Sequence, residues 1–344
     1  MSSNKRDGNF EEPIDSGDGI DRRGFLSCMA WAGTGVLWAM SGGILRSVDL
    51  SSTAGRVEAA RVSTSADFTF AQISDSHIGF NKVANPNVVS TLNECINRIS
   101  TATVKPSFVL HTGDLTHLSQ ADEFDTLSQA LTGGGLSDVY YVPGEHDVDT
   151  DNGALYLSRY GKGTTGQGWY SFDYNGVHFV GLNNVLDLKT NGLGSLGSDQ
   201  LSWLDKDLRH HKSDTPIVVF AHIPLWSVYP DWGWGTDDSA QALALLRRFG
   251  SVTVLNGHIH QTLQKVEGNI TFHTAMSTAF PQPAPGSAPK PGPMVVPAGQ
   301  LRSLLGVTTV NYAVSSSPNL AVIDSPLTTT PVDATGIVGA GDAH

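Results

Sequence analysis

Cysteine is almost missing from this chain: its 344 residues include two. One of them, Cys28, falls in an N-terminal stretch read below as an export signal, so Cys95 is left alone. That excludes an intramolecular disulfide in the mature chain, and it leaves oxygen and imidazole as the donors for any metal. Positive charge is also scarce. Lys and Arg number 21 against 33 Asp and Glu, a formal net charge of −12. No basic run could line a phosphate-backbone groove, which speaks against nucleic acid and anionic membranes as partners. Any phosphate chemistry would need a local positive centre, for which bound metal is the obvious source. Long hydrophobic runs are limited to one, from Phe25 to about Leu45, weakened as a membrane span by Gly33, Gly35, Gly42 and Gly43. There is no internal repeat.

Residues 1–20 are polar, Gly/Asp-rich and without hydrophobic period, so they are expected to be disordered. Next comes Asp21-Arg22-Arg23-Gly24-Phe25-Leu26, leading into the apolar run and then small residues. That is the order of a secretory signal. The Arg pair resembles a twin-arginine export signal, which implies the twin-arginine translocase as a partner and a periplasmic or extracellular destination. An uncleaved N-terminal anchor is the other reading. Ser52-Thr53-Ala54 and Val57-Glu58-Ala59 both fit a cleavage site. The absence of disulfides agrees with cargo that folds and takes up metal before export. With residues 1–60 set aside, about 280 remain, enough for one large core without staples. One domain is expected over 67–325, with a disordered tail over 326–344.

Asp67 to Ser74 alternates as a strand, and Asn87 to Thr103 shows a helical face of Val88, Leu92, Cys95, Ile96 and Ile99. A strand over 108–112, a helix near 119–131 and a strand over 139–142 follow. This alternation predicts βαβ units and a largely parallel sheet. The second half opens on a hairpin, Trp169 to Tyr174 and Val177 to Leu182, turned by Asn175-Gly176. A helix over 199–211, a strand over 216–221, a helix near 237–249 and a strand over 252–255 come next, then strand-like segments at 262–267, 270–275, 307–313 and 320–324. The stretch 281–298 is rich in Pro, Gly and Ala and cannot be regular.

Five of these strands run into acid or imidazole: Asp75 and His77; Asp114; Glu145, His146 and Asp147; His222; His258 and His260. Ligands of open α/β sheets bind outside the carboxyl ends of strands. A single histidine or Gly-Asp turn is weak evidence. Five successive strand ends of one chemistry are a pattern, and oxygen and imidazole donors without thiolate suit Mn, Fe, Zn or Co.

The series Asp-x-His, Gly-Asp, Gly-x-His-Asp, His, Gly-His-x-His resembles the calcineurin-like metallophosphoesterase superfamily over about residues 67–275. The resemblance implies an α/β fold, a four-layer α/β/β/α sandwich of two mixed sheets flanked by helices, with a two-metal site between the sheets. It implies that Asp75, His77 and His260 hold one metal and His222 and His258 the other, with Asp114 bridging. His146 would be the general acid or transition-state stabiliser, oriented by Asp147. The ions would be divalent or mixed-valence Fe, Mn or Zn. The activity implied is hydrolysis of a small phosphodiester or phosphomonoester by metal-activated hydroxide, in an exported enzyme whose oligomeric state the sequence leaves open.

Three features depart from the family pattern. Where purple acid phosphatases have Tyr three residues after the bridging Asp, this chain has His117, so it resembles the class III phosphodiesterases more closely. A purple-acid-type phosphomonoesterase and a non-catalytic metal-binding scaffold stand as alternatives. Glu145 replaces the Asn that precedes the catalytic His; as a ligand it would add a negative charge and lean selectivity toward diesters, or favour trivalent iron. The 281–298 segment is a cap over the site or a spacer. Tyr229, Trp232 and Trp234, soon after His222, form either a substrate wall or ordinary core.

Overall fold

A computed structural model describes residues 36–41, 44–49, 68–313 and 319–328. Its first half runs β1 (Val36–Ser41), β2 (Ile44–Asp49), β3 (Phe68–Ile73), α1 (Val88–Ser100), β4 (Val109–His111), α2 (Ala121–Gly133), β5 (Val139–Tyr141) and α3 (Ala154–Tyr160). A second series follows: β6 (Tyr170–Tyr174), β7 (Val177–Gly181), α4 (Gly197–Leu208), β8 (Ile217–Phe220), α5 (Ser239–Leu246) and β9 (Val252–Asn256). The chain then forms β10 (Gln264–Glu267), β11 (Ile270–Thr274), α6 (Ala298–Leu304), β12 (Gly306–Ala313) and β13 (Asn319–Pro326).

The period of two in β3 decides the layering. Phe68 and Phe70 point to one face and join Phe108, Leu110, Phe179, Val218, Phe220 and Leu255, a cluster shared by both sheets. Ala71 and Ile73 point to the other face, where α1 and α2 lay down Leu92, Ile96, Phe124 and Leu127. On the far side, α4 and α5 cover the second sheet with Leu204, Leu208, Leu243 and Leu246 against Val219, Val254 and Phe272. The order is therefore helix, sheet, sheet, helix, the four-layer α/β/β/α sandwich expected. Ring contacts stitch the middle: Phe70 stacks on Phe108 at 5.2 Å, and Phe172 on Phe179 at 4.9 Å. Each such pair contributes about 0.5–1.5 kcal/mol beyond burial.

Both sheets are mixed. The first has seven strands in the order β2-β1-β13-β12-β3-β4-β5, and the second has six, β10-β11-β9-β8-β7-β6. Within them β3, β4 and β5 run parallel, as do β7, β8 and β9. The carboxyl ends of five of these strands carry the acid and imidazole residues picked out above.

Arg22-Arg23 and the two cleavage candidates lie outside the described residues, as does the tail from residue 329. Of the apolar run assigned to the signal, 36–41 is strand β1, which pairs with β13 and with β2. Leu327 and Thr328, placed in the tail by sequence, donate backbone hydrogen bonds to Leu305 and Arg302. Helices α3 and α6 were not foreseen: each has seven residues, too few for a helical period to show.

Candidate metal centre

The ligand-bearing turns are tied to one another through main chain. Asp75 N donates to Gly113 O, His77 N to Asp114 O, and Gly257 N to His222 O. Five of the turn residues are held at positive φ: Asp75 (53°), His77 (41°), Asp114 (50°), His258 (69°) and His260 (53°). An L-residue held there costs about 1–3 kcal/mol, a strain that functional sites concentrate and the packed sandwich must over-determine. It bends each turn sharply, and the side chains at these five positions converge. The glycines beside them are required by close approach. A Cβ on Gly113 would collide with the His222 ring, and one on Gly144 with Asp114.

Two donor sets result. Asp75, His77, Asp114 and His260 form one, with ligand atoms within 4.8 Å of one another; Glu145, His222 and His258 form the other. Asp114 lies between them: its Oδ2 is 3.3 Å from His77 Nε2 and 3.4 Å from His222 Nε2. Its Oδ1 accepts from the backbone N–H of His146 at 3.0 Å, which fixes the carboxylate. In the first set Asp75 Oδ1 is 3.2 Å from His260 Nε2. In the second Glu145 reaches His222 Nε2 at 3.0 Å and His258 Nδ1 at 2.9 Å. The first set is sealed, whereas the side chains of Glu145 and His258 are 26 % and 12 % exposed, so the second set faces the mouth.

The donor atoms fit metal better than they fit one another. His222 Nδ1 donates to Thr112 O at 2.7 Å and His260 Nδ1 to Phe280 O, so each presents a bare Nε2 to the centre. His77 Nε2 faces His260 Nε2 at 3.2 Å. Close as Glu145 lies to His222 and His258, the approach lacks hydrogen-bond geometry: Glu145 Oε2, His222 Nε2 and both ring nitrogens of His258 are buried without a hydrogen bond. Orphaned polar atoms of this kind are costly unless a cation collects them.

Charge coupling runs through the cluster. Burial alone would raise the Asp75 carboxyl, but His260 and His222 hold it below the usual range. Glu145 is held further down, as His258 and His222 outweigh burial. Burial would lower His222 and His146, yet Asp114 and Glu145 lift both. His77 goes the other way, pushed well down by burial and then by His146 and His260.

His146 hangs over this centre. Its Nδ1–H donates to His117 O at 2.8 Å, leaving Nε2 free, and its ring stacks on His117 at 4.9 Å. The orienting role expected of Asp147 is not the one it has. Asp147 is fully buried and accepts from the backbone N–H groups of Gly144, Leu115 and Thr116 and from the Thr116 hydroxyl. With four donors spent on it, it braces the turns on either side of Asp114 and has no bond to the His146 ring. Burial and the nearby charge of Asp114 push its carboxyl up to about 7.

The Pro-rich segment is a wall rooted in the site. Gln282 Nε2 donates to His258 O at 2.9 Å, and Gln282 Oε1 accepts from Gly292 N at 3.0 Å. Phe280, just before it, packs its ring at 4.7 Å from both His77 and His260. Ala288 leans on the cluster of Trp232, Trp234 and Ile259. Both tryptophans are buried, so packing accounts for them, and Tyr229 alone of the three is half-exposed. Sequence reasoning missed the carbonyls of Thr112, Phe280 and His117, which set the histidine tautomers. It also missed His111, a buried imidazole whose Nε2 meets Ser76 Oγ at 2.8 Å beneath the Asp75–His77 turn.

Comparison with known proteins gives the same picture. A probable glycerophosphodiester phosphodiesterase, GpdQ, of Arcobacter nitrofigilis is 27 % identical over 169 residues, 44 % of this chain and 56 % of that protein. The chain thus spans little more than half of that relative. A probable cyclic nucleotide phosphodiesterase of Rhodopseudomonas palustris is 24 % identical over 205 residues, 58 % of this chain and 74 % of that one. Among solved structures, a dimetal phosphatase from Danio rerio superimposes with a TM-score of 0.51 at 16 % identity, covering 72 % of this chain and 94 % of its own. That likeness speaks for the fold alone. The model of the calcineurin-like phosphoesterase family matches residues 68–262, from β3 past the last of the converging histidines, and the chain belongs to that family.

Proposed function

We propose that this chain is a dinuclear metallohydrolase of small phosphoesters that acts on diesters ahead of monoesters. The observation that carries this reading is Asp114 Oδ2, set between two donor sets, one crowding the Nε2 atoms of His77 and His260 to 3.2 Å and the other holding nitrogen and oxygen without a hydrogen-bond partner. Asp75, His77 and His260 would hold one ion, Glu145, His222 and His258 the other, and Asp114 both. Fe, Mn and Zn suit these donors, and the chemistry such ions supply when bound is Lewis-acid activation of water and charge stabilisation at phosphorus.

The chain's own residues supply the rest. His146, anchored through Nδ1, turns Nε2 to the centre and delivers a proton to the leaving ester oxygen as the P–O bond breaks. Glu145 puts a third carboxylate beside Asp75 and Asp114, which lowers the positive charge of the loaded centre. A monoanionic diester needs less of that charge than a dianionic monoester. His117 stands where a purple acid phosphatase would have Tyr, which favours the diesterase reading over the tyrosinate–iron one. The test is hydrolysis of a chromogenic diester and monoester by metal-reconstituted protein, beside Asp114→Asn. Turnover of the diester that falls about a thousandfold in the variant is expected, since bridging-metal stabilisation is worth several kcal/mol. Undiminished turnover with two ions bound in Asp114→Asn would sink the assignment.

A further inference from the structure

His117 was singled out only as a mismatch with the purple acid phosphatases, and the reading above gives its side chain no task. Its surroundings give it one. His117 Nδ1 lies 3.4 Å from His77 Nδ1, on the side of the His77 ring away from Asp114 and His260. The His117 ring stacks on His146 at 19° and meets Phe80 edge-on at 5.2 Å, so its plane is fixed.

A histidine that ligates through Nε2 must carry its proton on Nδ1, and that proton needs an acceptor. For His222 and His260 the acceptors are main-chain carbonyls, of Thr112 and Phe280. For His77 the structure gives a ring nitrogen as the hydrogen-bond partner of Nδ1, that of His117. We propose that His117 is the positioning residue for His77: its Nδ1 lone pair accepts the His77 Nδ1–H and locks the tautomer that turns a bare Nε2 toward Asp114. The alternative polarity, with His117 donating, would put the His77 proton on Nε2 and block ligation. This inference rests on the dinuclear reading and extends it to a residue outside the ligand set.

Two substitutions separate the acceptor from the ring. His117→Phe keeps an aromatic plane against His146 and removes the acceptor; His117→Asn loses the ring and places an amide oxygen near the old Nδ1. Zinc is titrated into each full-length protein, with bound ions counted by elemental analysis and the His77 ring nitrogens followed by nitrogen-15 NMR. The wild type should bind two ions, with His77 protonated at Nδ1. In His117→Phe, affinity for one ion should fall about 10–100-fold while the other, held by Glu145, His222 and His258, is retained as proof of folding. His117→Asn should restore both the affinity and the His77 tautomer. If His117→Phe binds both ions like wild type, or His117→Asn is as impaired as His117→Phe, the inference is overturned and the dinuclear reading survives. A wild type that takes up fewer than two ions overturns both.

Discussion

Two clusters in this molecule are built from the same residue types and do different things. One is the centre just described. The other joins β6, β7 and α4: Asp173, His178 and His211 also bring potential ligand atoms within 4.8 Å, and Asp207 completes the group. In that second cluster His178 spends both nitrogens, Nδ1 on Asp173 Oδ1 and Nε2 on Asp207 Oδ2, each at 2.8 Å. Ser171 donates to the other Asp207 oxygen at 2.7 Å, and His211 lies across the imidazole at 3.7 Å. Both ring nitrogens of His178 are thus spent on carboxylates, which favour its charged form. At the centre, by contrast, carbonyls take the Nδ1 protons of His222 and His260 and leave the Nε2 of each bare toward the other donors. Proximity of ligand types does not separate the two clusters; the destination of each proton does.

That contrast breaks most sharply under matched substitution. His222→Gln removes a buried nitrogen with nothing but carboxylates before it, and should cost one bound ion and about a thousandfold in turnover. His178→Gln should leave ion content and turnover unchanged. Metal analysis beside the diester assay reads both. A lost ion in His178→Gln would mean that the second cluster binds metal too and that proton accounting fails as a criterion.

Glu145 sharpens the comparison by a smaller margin. In the clamp, two carboxylates neutralise one imidazolium; in the centre, three carboxylates stand ready to neutralise ions. Glu145→Asn should keep the ions and raise the monoester rate relative to the diester rate, by about tenfold for a change of about 1.4 kcal/mol in charge stabilisation. An unchanged ratio with unchanged metal content would show that Glu145 does not act through its charge.

How much of this could be read from sequence depends on which atoms carry the information. The strand ends were legible because apolar runs such as Phe108 to Leu110 stop abruptly at polar turns, and the motif series placed all nine acid and imidazole positions at or beside the centre. Glu145 was legible as an oddity, and the structure puts it 3.0 Å from His222. The tautomer-setting carbonyls were not legible, because Thr112, Phe280 and His117 offer His222, His260 and His146 a main-chain oxygen that any residue would have supplied. Positive φ at Asp75 or His260 was hidden for a related reason: only the surrounding packing forces L-residues there. Asp147 misled, since an acid next to a histidine expected to be catalytic invites an orienting role. Its four donors come from Gly144, Leu115 and Thr116, contacts that sequence order does not reveal.

The smallest expected effect is in the clamp and concerns pH. Burial alone would lower the His178 pKa, but its bonds to Asp207 and Asp173 raise it above the ordinary value of 6.5. A histidine whose folded pKa is raised contributes stability that is fully present below its unfolded pKa. The contribution is lost as pH climbs through the folded value. The window therefore opens near the ordinary histidine value and extends upward from it, the opposite of what a depressed carboxylate would give. Asp173 is 71 % exposed, so solvent screens that half of the clamp and the whole contribution should be about 1 kcal/mol. Thermal unfolding of the wild type should then lose about 2–4 °C between pH 6 and pH 8.5 relative to His178→Gln. Ion-depleted protein is the material to use, since metal at the centre would add its own pH dependence. Parallel curves for the two proteins would show that His178 is neutral in the fold, and the clamp would then differ from the centre in geometry but not in charge.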